Sequence, residues 1–481
     1  MSSTLAIISG LVLLYLTHPF WTWRRLSHIP GPFWTAISKF WIIREGFLGW
    51  QPTTLRDVTI TYGAQDQLVR PMKLETDQFL GYLARIGPNE VVTSDPEVLR
   101  KIMSVLSAYT RGPWYHAWKL EAGKDNLFCM RDEAAHINLR NRMTAGYSWK
   151  ENESMEQTFQ IQVANLVNLI ESKYISTKTD YRPVDLAQKL QFFTLDVISD
   201  LVFGKPLGCL QHDKDPYDYV EAMDASMPVL ASLGDVPWLA SLFHSPILRR
   251  FLPSEKDKGG CGAVIGFSKR IVVERFHKSA KFQRDMLASS IRHGLNETEA
   301  SGEALLQVVA GADTTATGLK AVILCLMINP AAYERLQAEI EDGISKATIS
   351  APIKDSEARQ LPYLQAVIKE GLRVRSPAGG AFYKIAPPGG DMIKCFFVPG
   401  GTQVGVSHLG FHSEEVFGPD AQIFKPERWL DPEIDLACLN KMNSTLDMIF
   451  HSGKYQCLGK SVALVEFNKI FAESLEHLTS R

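Results

Sequence analysis

The sequence has almost no net charge, no regular cysteine spacing, no repeats and no low-complexity segment. Its 51 basic and 53 acidic side chains give a formal net charge of -2, so charge alone gives no reason to expect nucleic acid as a partner. The seven cysteines are scattered, odd in number and without a CxxC pair. This argues against a disulfide framework or a zinc site and favours a reducing compartment.

Alternation of strands and helices is also missing, and helical patterns clearly outnumber strand patterns. The chain is therefore expected to be mainly α with small β-sheets (α+β) rather than doubly wound. One strand, a turn and a second strand are predicted over residues 85–92. Residues 64–83 show no clear periodicity, and they are interpreted as an insertion.

Asp, Glu, Lys and Arg are absent from residues 5–20, which are almost wholly apolar, and Arg24 and Arg25 follow shortly after. This pattern predicts an N-terminal transmembrane helix, with an anchor over residues 1–23 and the bulk of the chain on the cytoplasmic side. A cleaved signal peptide is the alternative, but the basic n-region and small-residue cleavage site are missing. Residues 24–32 end in Pro-Gly-Pro, which cannot continue a helix and predicts a hinge.

One cysteine has a distinctive setting. Cys457 lies in FHSGKYQCLGK, residues 450–460, between two glycines and before an apolar, helix-forming run. Such a loop can present a thiolate to iron, zinc or copper(I). The alternative is a buried cysteine before a helix. Zinc held by Cys457 and the nearby His451 has too few ligands at this spacing.

A second distinctive segment lies inside the helical residues 298–329, where the letters AGADTT occupy residues 310–315. Gly costs about 1 kcal/mol inside a helix, and Asp and Thr compete for backbone hydrogen bonds. Two interpretations remain: the helix ends at Gly311, or it opens locally beside a pocket. In the second case a carboxylate and a hydroxyl are available to move protons.

The order of these pieces resembles the cytochrome P-450 superfamily of haem-thiolate monooxygenases. That family has an anchor and Pro-rich hinge, then AGxDTT, ExxR, PERF or PERW, and FxxGxRxCxG. The corresponding segments here are residues 1–32, 310–315, 370–373, 426–429 and 450–459. Residues 285–289 and 454–460 are similar to filamentous-fungal enzymes of the pisatin demethylase subgroup. The resemblance extends from the anchor to residue 481.

The resemblance implies heme b as the cofactor, with Cys457 as the axial thiolate of its iron. A thiolate donates electron density that favours cleavage of the O–O bond. Phe450 is expected to pack near the sulfur. Gly453 and Gly459 are expected to let the loop pass close to the ring.

Catalytic roles also follow from the resemblance. Thr314 with Asp313 is expected to deliver the protons that oxygen activation consumes, while Ala310 and Gly311 open the helix at that point. Glu370, Arg373 and Arg428 are expected to form a buried charge network under the haem. That network is structural, and breaking it would leave an unpaired buried charge.

Haem propionates need cations or hydrogen-bond donors. By resemblance, His136 and Arg140 belong to the helix that supplies them, and Lys384 stands where many members carry Arg. Tyr455 replaces the arginine found two residues before the cysteine. It can donate one hydrogen bond to a propionate but brings no charge, and Lys454 is expected to compensate in part.

The implied function is insertion of one oxygen atom into a lipophilic small molecule, as hydroxylation or oxidative demethylation, in fungal secondary metabolite biosynthesis. A terpenoid is the first hypothesis for the substrate. Residues 33–481 form the catalytic domain, which faces the cytoplasm from the endoplasmic reticulum membrane. NADPH-cytochrome P-450 reductase supplies electrons. It is expected to dock on a basic face that includes Lys454, Lys460, Arg140 and Arg142, although these residues could also be merely solvated charges.

A second hypothesis comes from the C-terminal end. Few residues follow Cys457, whereas family members continue through a hairpin whose tip touches substrate. On this hypothesis the catalytic domain is truncated at its C-terminus. The chain would then be a haem-binding protein with impaired or lost turnover.

Overall fold

The computed structural model describes residues 23–63, 83–152, 155–277, 283–410, 412 and 414–479. The predicted anchor, except for its last residue, and the predicted insertion, except for Leu83, lie outside these ranges. Within them, one helix is long and apolar enough to cross a membrane, Glu297–Met327. Half of its apolar stretch is buried inside the fold, as expected of a core helix.

The described chain is mainly α-helical, as predicted. Its first nine helices are α1 Phe40–Phe47, α2 Gln51–Gly63, α3 Pro96–Met103, α4 Glu133–Thr144, α5 Met155–Lys173, α6 Leu186–Phe203, α7 Cys209–His212, α8 Tyr219–Gly234 and α9 Pro237–Phe243. The others are α10 Gly260–Phe276, α11 Met286–Arg292, α12 Glu297–Met327, α13 Pro330–Ser345, α14 Asp355–Ala358, α15 Pro362–Val374, α16 Glu414–Phe417, α17 Leu436–Leu446 and α18 Lys460–Thr479. Short 3₁₀ turns include Pro113–Trp118, Pro426–Trp429 and Gly453–Tyr455.

Two small sheets complete the fold. The strands are β1 Leu83–Gly87, β2 Glu90–Thr93, β3 Thr110–Arg111, β4 Lys384–Ile385, β5 Asp391–Ile393, β6 Phe396–Val398 and β7 Gln403–Val406. The larger sheet has the order β1-β2-β7-β4-β3, and β5 pairs with β6. The antiparallel pair β1–β2 confirms the predicted strand, turn and strand. Strands β3 and β4 are antiparallel with Arg111 opposite Lys384.

Helix α12 is the central element, and it is continuous. Its N-terminus is closed by a capping box between Asn296 and Glu299. The predicted helix end at Gly311 and the predicted local opening are both wrong, because residues on both sides of Gly311 are α-helical. A Cβ at Gly311 would lie 2.7 Å from Ile198 Cγ1 on α6. The glycine is therefore needed for the close crossing of the two helices.

Candidate functional site

A cavity of about 290 Å³ lies beside α12, between that helix and the loop that precedes α18. Most of its wall is apolar, and its polar groups are concentrated in a few places. The lining residues with relevant chemistry are Arg111, His136, Arg140, Thr314, Phe450, His451, Tyr455, Cys457, Gly459 and Glu466. Of the predicted site residues, Asp313, Lys384, Gly453, Lys454 and the charge network do not line it.

Cys457 faces this cavity from the loop between the turn Gly453–Tyr455 and α18. All seven cysteines lie in the described residues, and only Cys457 lines the cavity. Its backbone N–H donates to the Phe450 carbonyl at 2.9 Å. Gly453 has φ +60°, and a Cβ there would lie 2.2 Å from the Met103 carbonyl oxygen, so the loop requires glycine at this position.

The surroundings of the Cys457 thiol shift its pKa in both directions. Burial raises its pKa, whereas the Gly459 N–H, the Arg140 charge and the N–H and charge of Lys460 lower it. Several donors therefore surround a sulfur that faces the cavity. This arrangement stabilises a thiolate once a metal ion adds its own charge.

Two buried cations lie side by side near the cavity. Arg111 and Lys384 are directly opposite in the β3–β4 pair, and both side chains are buried. Within the described residues, Lys384 Nζ and Arg111 Nε have no hydrogen-bond partner. Burial, and then the Arg111 charge, hold the pKa of Lys384 well below its usual range. Like charges opposite each other destabilise a strand pair, so this site favours an anion.

His136 lies at the same end of the cavity. Burial lowers its pKa to about 3, with further lowering by nearby Arg111 and Arg140. Its Nδ1 is buried and has no hydrogen-bond partner among the described residues. The neutral imidazole therefore offers a donor or acceptor without charge. Arg140, one turn further along α4, also lines the cavity.

Tyr455 and Lys454 are engaged elsewhere. The Tyr455 hydroxyl donates to the Glu133 carboxylate on α4, and Lys454 Nζ lies 2.9 Å from the other oxygen of Glu133. Burial and this hydrogen bond raise the pKa of Tyr455. In this structure the hydroxyl donates to Glu133, and the hydrogen bond from Tyr455 to a propionate stays a prediction.

Thr314 and Asp313 point in different directions. Thr314 lines the cavity, and its hydroxyl donates to the Ala310 carbonyl at 2.7 Å. Asp313 accepts from Gln191 Nε2 at 2.6 Å and from the Tyr219 hydroxyl at 3.0 Å. Burial raises the pKa of Asp313 to about 6. Asp313 is thus adjacent in sequence to a residue that lines the cavity, but its own carboxyl does not line it.

The three residues of the charge network are in contact. Both oxygens of buried Glu370 accept from Arg373, each at 2.8 Å, and Arg428 Nε donates to Glu370 Oε1 at 2.9 Å. Trp429 Nε1 donates to Oε2 at 2.9 Å. The Glu370 carboxylate, with both oxygens hydrogen-bonded, therefore joins helix α15 to the turn Pro426–Trp429.

The basic face predicted for reductase docking is not a set of free cations. Lys454 pairs with Glu133, Lys460 lies 2.8 Å from Asp447, and Arg142 lies 2.7 Å from Glu299. Arg140 lines the cavity instead. Lys454, Lys460 and Arg142 are thus paired within the fold, and docking of a reductase on this face stays a prediction.

Among the lining residues with ionisable side chains, Arg111, His451 and Glu466 are examples that were not predicted as site residues. His451 has φ +58°, and its ring packs 4.7 Å from that of Phe382. Glu466 is fully surrounded, its Oε2 has no hydrogen-bond partner in the described chain, and burial raises its pKa well above the usual range. A signal existed for Glu466, which is a charged residue within the largely apolar run of residues 461–467.

The chain is similar to known proteins over nearly its whole length. The family model described as Cytochrome P450 matches residues 80–480. The chain is 37% identical to Cytochrome P450 monooxygenase ABA1 of Pyricularia oryzae, over 94% of this chain and 86% of the relative. It is 35% identical to aba1 of Botryotinia fuckeliana with the same coverage. Pisatin demethylase of Fusarium vanettenii is 27% identical, over 92% and 83% of the two chains.

Proposed function

The chain belongs to the cytochrome P450 family, and we propose that it inserts one oxygen atom into a lipophilic small molecule of fungal secondary metabolism. It is a monooxygenase with a haem-thiolate iron as cofactor, and the similar proteins are named cytochrome P450 monooxygenases. Electrons come from NADPH through a reductase, the usual arrangement in the family. The observation that carries the proposal is a cavity that contains Cys457 and lies beside Arg111 and Lys384, each with one buried nitrogen that has no hydrogen-bond partner in the described residues.

The residues around the cavity fit a haem. Cys457 would ligate the iron, and the haem would supply the oxygen chemistry. Lys384, Arg111 and His136 offer unpaired donors at one end, which suit the two propionate carboxylates. Phe450 and Gly459 form the wall beside the sulfur, where a ring requires apolar contact and a close approach of the backbone.

Thr314 is the proposed catalytic hydroxyl. It lines the cavity from the middle of α12, and its bond to the Ala310 carbonyl leaves its oxygen free to accept a second hydrogen bond. Asp313 is the proposed proton reserve. Its pKa of about 6 keeps a useful fraction protonated near neutral pH. Gln191 and Tyr219 hold the carboxyl beside the helix.

The substrate is proposed to be uncharged and rich in hydrocarbon. The part of the wall formed by the 113–128 region, α6, α12 and the segment before β4 carries apolar side chains. These are Leu127, Phe128, Ile198, Leu306 and Phe382. Such a wall favours a terpenoid skeleton over an ionic substrate, and terpenoids are the first class to test.

Attachment to the endoplasmic reticulum membrane is part of the proposal. Besides the apolar residues 5–20, large apolar side chains are exposed on two neighbouring parts of the fold: Trp34 and Phe40 near α1, and Trp238 on α9. Helix α1 contacts the end of α8, where Ser232 Oγ donates to the Ile43 carbonyl at 3.2 Å, and α9 follows α8 directly in the chain. Grouped exposed aromatics of this kind suit a membrane interface.

A pair of threonine variants tests the proposed chemistry. Thr314 and Thr317 both donate to the carbonyl four residues earlier, at 2.7 and 2.8 Å, but only Thr314 lines the cavity. With reductase and NADPH, Thr314→Val should divert roughly tenfold more electrons into peroxide instead of product. Thr317→Val should match the unsubstituted protein.

Equal coupling in both threonine variants would refute the role of Thr314. A normal haem spectrum with no product from any lipophilic candidate would instead favour the alternative of a haem protein without turnover. The two results are separable, since the spectrum is recorded before any substrate is added.

A further inference from the structure

Tyr455 stands where the family pattern predicts an arginine. Its ring contacts two buried cations, so this position does more than lack a positive charge. The Lys384 ammonium lies 3.1 Å from the centroid of the Tyr455 ring. The Arg111 guanidinium lies 4.6 Å from the same centroid. Both distances are within the range of cation–π attraction, which is strongest where water is excluded.

These two cations would otherwise repel each other. Arg111 and Lys384 are opposite residues of a strand pair and are both buried. Arg111 is held in place by its Nη1, which donates to the carbonyls of Leu127 at 2.7 Å and Met130 at 2.9 Å. The aromatic ring gives both cations a common negative surface without adding a third charge.

The other end of Tyr455 joins two elements of the fold. Its hydroxyl donates to Glu133, the first residue of α4. Lys454 Nζ lies 2.9 Å from the same carboxylate and 3.4 Å from the Ser107 carbonyl oxygen. The two residues just before Gln456 and Cys457 are therefore both attached to the start of α4.

We propose that Tyr455 is a positioning residue for the haem site. Its ring holds Lys384 and Arg111 where they meet the propionates, and its hydroxyl fixes the cysteine loop to α4 through Glu133. The proposal rests on the haem site described above. It assigns two tasks to two parts of one side chain, and the parts can be removed separately.

Haem transfer to apomyoglobin measures the first task, and it needs no turnover. Tyr455→Leu removes the ring and should release haem roughly tenfold faster. Tyr455→Phe keeps the ring and should release haem at nearly the original rate. Tyr455→Arg should also release haem faster, because a third cation is then buried beside Lys384 and Arg111. If residue 455 merely lacked a charge, Tyr455→Arg would slow the release, and that result would overturn the proposal.

The second task is measured by the rate at which the ferrous carbonyl complex loses its thiolate spectrum in mild denaturant. Tyr455→Phe and Glu133→Ala should each accelerate this loss severalfold, and the double variant should be no faster than Glu133→Ala alone, since that substitution already removes the acceptor of the Tyr455 hydroxyl. Arg142→Ala is the control, because it removes an ion pair between the same helix and Glu299 without reaching the loop. Additive effects, or an equal effect in the control, would contradict the proposed role of the Tyr455–Glu133 hydrogen bond.

Failure of this inference and failure of the proposed function give different results. If the unsubstituted protein shows no thiolate spectrum, the haem site itself is wrong. If that spectrum is normal and Tyr455→Leu releases haem at the original rate, only the role of the Tyr455 ring is refuted.

Discussion

Arg373 holds both oxygens of the Glu370 carboxylate at 2.8 Å, and neither side chain is more than 1% exposed. Arg373→Met would leave a buried carboxylate short of two donors. We expect it to lower the free energy of unfolding by about 3–5 kcal/mol. Denaturant unfolding, with haem content measured in parallel, checks this prediction.

An exposed pair provides the control for that experiment. Arg335 lies 3.2 Å from Glu427, with side chains 55% and 42% exposed. Arg335→Met should cost less than about 1 kcal/mol, because water replaces the lost partner. Similar losses in the two variants would show that burial of the Glu370 network does not determine its contribution.

Gly453→Ala should lower both stability and haem content. The position has φ +60°, and the added Cβ would lie 2.2 Å from the Met103 carbonyl oxygen. The left-handed backbone alone costs a side chain about 1 kcal/mol, and the overlap must then displace the cysteine loop. Gly401→Ala isolates the first effect, since Gly401 has φ +81° with no atom within 4 Å. The prediction fails if both variants retain haem equally.

Glu303 makes stability depend on pH. Burial raises its pKa to about 8 from 4.5, while its Oε1 accepts from the Leu127 N–H at 2.8 Å. Between these values the folded state keeps a proton that the unfolded state has lost. This carboxyl therefore reduces stability as pH rises to about 8, by at most roughly 1.4 kcal/mol per pH unit.

Glu303→Gln keeps the acceptor and removes the titration. The variant should therefore gain stability relative to the unsubstituted protein as pH rises through this window, as measured by denaturant midpoints. Glu299→Gln should not reproduce the gain, because Arg142 lowers the pKa of Glu299. Parallel pH profiles for Glu303→Gln and the unsubstituted protein would contradict this account.

The exposed aromatics near α1 and α9 should bind lipid without the N-terminal segment. In a chain that starts at Arg24, Phe40→Ser with Trp238→Ser should lower partitioning into vesicles roughly tenfold or more, because each removes a large apolar contact. Leu436→Ser is the control, since Leu436 is similarly exposed at 72% but lies on α17. Equal losses would indicate non-specific adsorption.

Local sequence patterns predicted the contacts between residues that are close in the chain. They did not predict the contacts between distant segments. Glu370 and Arg373 are three apart on a helix, so their contact follows from the helical period. Asp313 and Thr314 are adjacent, and adjacent helical residues point about 100° apart. The sequence therefore predicts that one of them faces away from a pocket, but not which.

The position of Arg111 opposite Lys384 was beyond sequence reasoning. Each residue lies in a strand of two residues, too short for any periodicity, and the two are far apart in the chain. The partner of Tyr455 was missed for a similar reason, since Glu133 belongs to a distant helix. Folding alone brings these groups together around the cavity.

The central claim is that Cys457 is the thiolate ligand of the haem iron. The most direct measurement is the absorption spectrum of the ferrous carbonyl complex of Cys457→Ser, with Cys438→Ser, an exposed cysteine outside the cavity, as the control. The account predicts that Cys457→Ser loses the red-shifted Soret band of thiolate ligation, while Cys438→Ser retains it. A red-shifted band that persists in Cys457→Ser would contradict the account.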